Sequence, residues 1–301
     1  MSYKKPFMAM RDDGNEQPSS IYEEVGAGRP HAVGERILHD RLGLPPEVEG
    51  RLWRHVYRGP IISRHLHEEV EMNLAVRGSA AYLVGKRRYT LTPGTMIWLF
   101  PRQDHILIDQ SADFRCWILV ARPALSARLA GRDKTYRPLT EDDPAGVFAR
   151  QVEPETVERL IGLYHTVGAF EDSGVCYNAG IEHAAAASWT TFLSAGEAKE
   201  TRLHPAVERA VQLLRDDTDE MTVDQLAGET GLSASRLSRL FHAQVGIPIA
   251  RFRNAQRLDR FNRLRDSAPS LAAAALDAGF GSYAQFYRVF REAYGCGPAE
   301  R

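Results

Sequence analysis

Short apolar segments separated by turn residues dominate the chain from about residue 51 to residue 121. The clearest are Ala80–Val84, Met96–Phe100 and Trp117–Val120, and glycine or proline residues stand between them. Apolar segments this short, repeated about every ten residues, are typical of β-strands joined by tight turns. The pattern predicts a β-sandwich or barrel in the first half of the chain.

The hydrophobic period changes after about residue 122. Apolar residues three to four positions apart predict one helix over residues 154–171 and another over residues 181–193. Residues 195–204 are polar and predict a linker. From Pro205, a residue suited to the first turn of a helix, the pattern indicates helices separated by glycines.

The last third of the chain contains one motif twice. Each copy predicts a short helix, a turn at a glycine with positive φ, and a second helix with an apolar stripe. This is a helix-turn-helix arrangement, and the copies end in step at Gly246 and Gly295. The shared positions are Ala227, Gly231, Leu237 and Phe241 in the first copy and Ala275, Gly279, Phe286 and Phe290 in the second.

Helical spacing divides the second helix of each copy into a buried and an exposed face. Arginine can donate two hydrogen bonds to guanine, serine can bond several bases, and tyrosine or alanine can contact a thymine methyl group or the backbone. The exposed face therefore predicts a DNA-reading surface, on which Ala284 reads by apolar contact alone. Its residues are Ser235, Arg236, Ser238 and Arg239 in the first copy and Tyr283, Ala284, Tyr287 and Arg288 in the second.

Residues 248–266, between the two copies, contain six arginines and predict a single helix. Roughly 19 helical residues span about 28 Å. That length is near the ~34 Å between successive major-groove faces of B-DNA. A lone helix-turn-helix pattern fits a helical hairpin without DNA equally well. Two copies joined by an arginine-rich helix favour DNA binding.

The overall charge conceals this basic region. Lys and Arg total 38 against 39 Asp and Glu, and the net charge of -1 argues weakly against a nucleic-acid partner. From Thr230 onward, however, eleven arginines face five acids, a net charge of +6. The first 229 residues therefore carry -7. The total is thus the sum of an acidic first part of the chain and a basic C-terminal end with the predicted DNA-reading surface.

Length and composition exclude several classes of protein. The 301 residues suffice for two domains. No apolar segment follows the N-terminal lysines, and no apolar run approaches the ~20 residues of a membrane span. The three scattered cysteines predict buried thiols rather than a disulfide framework or a zinc ribbon. We therefore expect a cytoplasmic protein.

Residues 205–300 resemble the DNA-binding domain of AraC-type transcription regulators, in which a long helix bridges two helix-turn-helix units. The resemblance implies that the exposed residues named above face DNA. It covers roughly a third of the chain. The residues that carry it are Leu226-Ala227, Gly231-Leu232-Ser233, Leu237–Phe241, Gly246-Ile247-Pro248, Arg257-Leu258, Gly279–Ser282 and Phe286–Arg291.

The first half resembles cupin barrels. Gly59-x5-His65-x-His67-x3-Glu71-x6-Gly78 matches the first cupin motif in every spacing. The second motif is looser, from Pro93-Gly94 through Pro101 to His105, and Gln103 stands where a glycine is usual.

The four candidate ligands of this motif are predicted to share one site. His65, His67 and Glu71 have the same strand parity, and His105 can arrive from a neighbouring strand. Three imidazoles and one carboxylate suit Zn, Ni, Fe or Mn, with open positions for a ligand or water. The alternative is an effector pocket that these residues line without a metal, as the resemblance to AraC-type sensor barrels implies.

Together, these features predict a mixed fold, with an N-terminal cupin-like β-barrel followed by helices and a C-terminal all-α domain with two helix-turn-helix motifs. The expected parts are a flexible tail (1–20), a sensor barrel (21–125), a helical dimerisation region (126–194), a linker (195–204) and the DNA-binding domain (205–301).

The predicted function is sequence-specific regulation of transcription without enzymatic activity, with operator binding modulated by a small effector or metal in the barrel. The expected partners are a double-stranded DNA operator, a small-molecule effector and a second copy of the chain, with RNA polymerase as a further candidate and no membrane. A metal-dependent cupin enzyme of dioxygenase or isomerase type, carrying a DNA-binding tail, is the alternative. A third hypothesis, a DNA architectural protein without a sensor, leaves the barrel motif without a purpose.

Overall fold

The computed structural model describes residues 44–56, 64–65, 67–142, 144, 146, 148–171, 173–215 and 221–300. The expected tail of residues 1–20 lies outside the described residues. Within them, the strands are β1 (Gly50–Val56), β2 (Arg64–His65), β3 (Val70–Arg77), β4 (Ala80–Val84), β5 (Arg87–Leu91), β6 (Thr95–Leu99), β7 (His105–Gln110), β8 (Arg115–Ala121), β9 (Ala149–Gln151), β10 (Gly196–Glu197) and β11 (Glu200–Arg202).

The helices follow the main group of strands. A 3-10 helix at Lys134–Thr140 lies between the first two α-helices. The α-helices are α1 (Pro123–Arg132), α2 (Pro154–Gly168), α3 (Gly174–Ser194), α4 (Pro205–Arg215), α5 (Val223–Glu229), α6 (Ala234–Val245), α7 (Ile249–Leu264), α8 (Leu271–Asp277) and α9 (Tyr283–Tyr294).

The strands pair into two antiparallel sheets. One has the order β1-β8-β3-β6-β9-β10 and the other the order β11-β5-β4-β7-β2. Inner-face residues of both sheets share one apolar core. The predicted fold class, a cupin-like β-domain followed by a helical region, is confirmed.

Helices cover the outer face of the first sheet. Strand residues alternate between faces, and Trp98 and Trp117 point outward. Trp98 contacts Trp189 of α3 with ring centroids 5.3 Å apart, and Trp117 contacts Tyr164 of α2 at 5.5 Å. Both tryptophans are buried and serve as packing residues between this sheet and the helices.

The outer face of the second sheet is covered by the C-terminal region. Ala81 and Leu83 of β4 and Ile106 and Ile108 of β7 share a buried core with α4, α5, α6 and the first part of α7. The β-domain and the first helix pair therefore pack as one apolar unit, while Phe261 and the α8–α9 pair form a separate core.

Caps and glycines define the two helix pairs. Ser233 caps α6 through its side chain, and Ser282 caps α9 in the same way. Each of the four glycines of the repeat has a positive φ, with +68° at Gly231 and +91° at Gly279. A residue with a Cβ is strained in this conformation, so the repeat predicted these turns for a physical reason.

Two segments differ from the sequence prediction. The segment 195–204, predicted to be a linker, forms β10 against β9 and β11 against β5. Their side chains are exposed and the strands pair through the backbone, so a polar sequence pattern does not distinguish them from a linker. The bridging helix α7 has 16 residues, which gives it a length of about 24 Å rather than 28 Å.

None of the helices in the described part of the chain is long and apolar enough to cross a membrane.

Phe261 lies at the centre of the second helical core, 4.3 Å from the ring of Phe286 and 5.8 Å from that of Phe290. We expect Phe261→Ala to destabilise the α8–α9 unit by about 3–5 kcal/mol, because it removes buried area and leaves a cavity. Hydrogen exchange should accelerate in α8 and α9 and remain unchanged in α5 and α6. Equal acceleration in both helix pairs would contradict the separate cores.

Candidate functional site

Three buried side chains meet between the two sheets of the barrel. His67 precedes β3, Glu71 lies within it, and His105 begins β7 of the facing sheet. Their potential ligand atoms all lie within 4.8 Å of one another. The structure thus brings together three of the four residues that the sequence predicted as a set.

His65 is the fourth predicted ligand. Its backbone pairs with that of His105 in the β2–β7 ladder. Its side chain lies outside what the structure describes.

Backbone carbonyls orient the two imidazoles. His67 Nδ1 lies 2.8 Å from the Glu69 carbonyl oxygen, and His105 Nδ1 lies 2.8 Å from the Gln103 carbonyl oxygen. A carbonyl only accepts, so each Nδ1 carries the proton and donates it. In the neutral ring, the Nε2 lone pair is then available for a metal or ligand.

Glu71 is held between His67 and Asn73. The Oε2 atom of Glu71 lies 3.3 Å from His67 Nε2, and the Asn73 side-chain amide donates to Oε1 at 2.6 Å. Burial acts to lower the pKa of His67, but the hydrogen bond and negative charge of Glu71 outweigh it and raise that pKa. Below that raised pKa, His67 and Glu71 form a buried ion pair when no other cation is present.

Further polar residues that the sequence did not single out as ligands line the same interior. Asn73 is fully buried, and the Cys116 thiol lies 3.9 Å from its side-chain oxygen. The Tyr82 ring lies 6.5 Å from that of His105, and burial together with the Glu71 charge raises the pKa of Tyr82. Strand parity is the signal that places these residues on the inner face.

The two ligand-bearing loops are tied to each other at the turn before β7. The Arg102 N–H donates to the His67 carbonyl at 3.0 Å, and the Arg102 guanidinium pairs with Glu68 at 3.1 Å. Arg102 has a φ of 55°, so the left-handed residue of this turn is Arg102. Position 103 therefore does not need a glycine. The buried side-chain oxygen of Gln103 accepts a hydrogen bond from the Phe100 N–H at 3.3 Å.

The second helix of the first pair, α6, has a polar exposed face over an apolar buried one. Leu237 and Phe241 are fully buried. The four residues predicted to read DNA from this helix, Ser235, Arg236, Ser238 and Arg239, are all exposed.

The corresponding helix of the second pair, α9, has the same division. Phe286 and Phe290 are fully buried. Tyr283 and Tyr287 leave 39% and 40% of their surface exposed, which is unusual for large aromatic residues. The predicted residues Tyr283, Ala284, Tyr287 and Arg288 are all exposed.

Comparison with protein families covers both halves of the chain. Residues 48–165 match an AraC-like ligand binding domain. Residues 226–300, from within α5 to beyond the end of α9, match a helix-turn-helix domain. Over these matched ranges the chain is of AraC type.

Curated AraC-type relatives match part of the chain. It is similar to the arabinose operon regulatory protein of Escherichia coli strain K12, with 32% identity over 111 residues, which is 35% of this chain and 38% of the relative. The matched region therefore covers well under half of the length of this relative.

Solved structures resemble the AraC-type chain more weakly in sequence. ToxT from Vibrio cholerae O395 is 15% identical with a TM-score of 0.34, covering 83% of this chain and 95% of that chain. A cupin 2 conserved barrel domain protein from Salinispora arenicola CNS-205 is 22% identical with a TM-score of 0.24, covering 36% of this chain and 99% of that chain.

In the metal-free AraC-type protein, we expect Glu71→Gln to lower the pKa of His67, because burial remains while the stabilising charge is lost. In the parent protein that pKa is raised above the ordinary 6.5. Protonation of His67 therefore favours the folded state, and this contribution is fully present below pH 6.5 and is lost as the pH rises through the raised value. NMR titration of the His67 ring measures the change, with the exposed Glu158→Gln as control. An unchanged His67 pKa in Glu71→Gln would refute the pairing.

Proposed function

We propose that this AraC-type chain is a transcription regulator that reads a specific operator with α6 and α9 and responds to a ligand held in its barrel. The observation that carries the proposal is the polar, exposed face of each second helix over a fully buried aromatic core. Such a face on a rigid helix can enter a major groove, where base edges differ in their donors and acceptors.

The two reading helices differ in chemistry. The exposed face of α6 offers serine hydroxyls and two guanidinium groups, which suit hydrogen bonds to base edges. The exposed face of α9 offers two tyrosines, an alanine and one arginine, which suit thymine methyl groups and backbone phosphates. We therefore propose that α6 supplies most of the hydrogen-bonded base recognition.

The residues of the barrel cluster fit a divalent metal ion. Two ligands on a tetrahedral metal with bonds of about 2.1 Å lie about 3.4 Å apart. The 3.3 Å between His67 Nε2 and Glu71 Oε2 matches that separation. His67, Glu71 and His105 would hold the ion, and a bound Zn, Ni, Fe or Mn would act as a Lewis acid toward an oxygen of an effector.

A metal-dependent cupin enzyme is the second candidate, because the same cluster could hold a redox metal with open positions. Turnover by the metal-loaded protein at rates that His105→Leu abolishes would favour it. The family of the chain favours regulation instead.

The prediction that residues 126–194 pair two copies into a homodimer stays a prediction. Phe170, just after α2, and Val175 and Leu193 of α3 expose 44%, 85% and 43% of their surface. Apolar residues exposed on these helices are compatible with an interface.

The metal assignment is tested by ligand substitution. We expect Asn73→Ala to weaken metal binding by about 10–100-fold, because it releases the partner that orients Glu71. His105→Leu should weaken it further, since a ligand itself is lost. Competition titrations with Zn, Ni, Fe and Mn and metal analysis after dialysis measure both effects. The exposed His183→Leu is the matched control, and wild-type metal content in His105→Leu would exclude the site.

The operator-reading role is tested at Arg239. We expect Arg239→Ala to weaken binding by about 1–3 kcal/mol and to relax the preference at one base pair. Genome-wide footprinting of the purified protein, followed by binding to every single-base variant of the strongest site, measures this. Arg159→Ala, an exposed arginine on α2, should change neither. An equal loss on all sequences would assign Arg239 to the phosphate backbone.

A further inference from the structure

The strand pair β4–β7 has two functional faces. On the inner face, Tyr82 and His105 line the ligand cluster. On the outer face, Leu83 and Ile106 are fully buried in the core that includes α6. Leu83 is paired with Ile106 and the neighbouring Val84 with His105. A shift of β7 that moves His105 must therefore also move Ile106 against the helices.

A β-bulge in β7 allows residues of this strand to contact both the outer core and His55 of β1. Tyr82 pairs with Leu107 and Ala81 with Asp109, so Ile108 is the extra residue. Ile108 enters the outer core. Asp109 lies 3.8 Å from Arg251 of α7, while Gln110, beyond the bulge, lies 3.4 Å from His55.

The neighbouring strand β5 holds the end of the first reading helix. The Arg88 guanidinium Nε donates to the Val245 carbonyl at 3.2 Å. This carbonyl belongs to the last turn of α6, where the helix dipole favours a positive charge. Nearby, Lys86 pairs with Glu208 of α4 at 2.9 Å. Charged contacts from β5 and from the β4–β5 turn thus hold the end of α6 and the preceding helix α4.

These contacts leave the reading face of α6 open. Its exposed residues lie opposite Leu237 and Phe241, which belong to the shared core. The α8–α9 pair packs around its own core. The barrel therefore sets the position of α6 without covering it, and α7 connects α6 to a second unit with an independent core.

We propose that the β4–β7 pair couples occupancy of the His67–Glu71–His105 cluster to the position of α6, with Arg88 and Asp109 as positioning residues. The proposal rests on the proposed function, since it presumes operator binding and a ligand in the barrel. Coupling of this kind requires that the ligand bind two arrangements of the domains with different affinity. We assign the difference between the two arrangements to the β-bulge at Ile108 and to the contact of Arg88 with Val245.

The test measures one coupling factor, the ratio of operator affinities with and without metal, in the full-length protein at fixed salt. Zn²⁺ and Mn²⁺ are the probes. We expect a ratio that differs from one by about 5–150-fold in the wild type, in either direction. In Asp109→Asn and in Arg88→Met the ratio should move toward one, while metal affinity in the absence of DNA stays unchanged.

The control is Arg77→Met, which removes an exposed arginine paired with Asp113 on the β3–β8 side. It should retain the wild-type ratio. Linkage supplies a second readout, since operator DNA must change the metal affinity by the same factor as metal changes the operator affinity. A merely structural role of Arg88 or Asp109 would lower stability and leave this reciprocal factor intact.

A wild-type ratio retained in both variants overturns the proposal. So does a wild-type ratio of one in a protein that binds both metal and a selective operator site. If neither Zn²⁺ nor Mn²⁺ binds, the coupling and the metal assignment are both overturned. A selective operator footprint of that protein would still support operator reading. Loss of the footprint itself would overturn the proposed function.

Discussion

Burial of both faces of the central strands is the constraint on which the rest of the structure depends. In a barrel with solvent on its outer faces, strands alternate apolar and polar residues. Here helices cover the outer faces, so successive residues such as Tyr82 and Leu83 are both buried. Polar groups on the inner face must find partners within the protein, because an unsatisfied buried polar group is costly. The hydrogen bond from Asn73 to Glu71 and the bonds from imidazoles to carbonyls meet that requirement.

The same constraint explains how much of the fold follows from sequence. A continuous apolar run such as Ala80–Val84 is typical of a strand buried on both faces, and the strand forms there. The helix pairs were also predictable, because a positive φ at Gly231 or Gly279 has a direct sequence signature. The strands β9, β10 and β11 were not, since two or three residues that pair mainly through the backbone leave no periodic pattern.

Only part of the candidate site could likewise be predicted from the sequence. His67, Glu71 and His105 come together because a period of two and one neighbouring strand suffice to place them. The hydrogen bond from Asn73 to Glu71 could not be predicted from the sequence, because it depends on which side chains meet in the folded pocket. The bulge at Ile108 depends on the register between β4 and β7, which long-range packing decides. The positive φ at Arg102 likewise depends on the ion pair and hydrogen bonds that hold the turn.

A buried histidine–carboxylate pair also constrains what the barrel can do. Replacing such a pair with apolar residues is often neutral or stabilising, so its presence is weak evidence for a stabilising role. His67 can instead adopt two protonation states. Its Nε2 can donate to Glu71 or, after losing its proton, offer a lone pair to a metal or ligand. These alternatives differ in charge and in whether His67 Nε2 donates a proton or a lone pair. Because β3 and β7 are packed on both faces, such a local difference cannot be absorbed by solvent and must be accommodated by neighbouring packed elements.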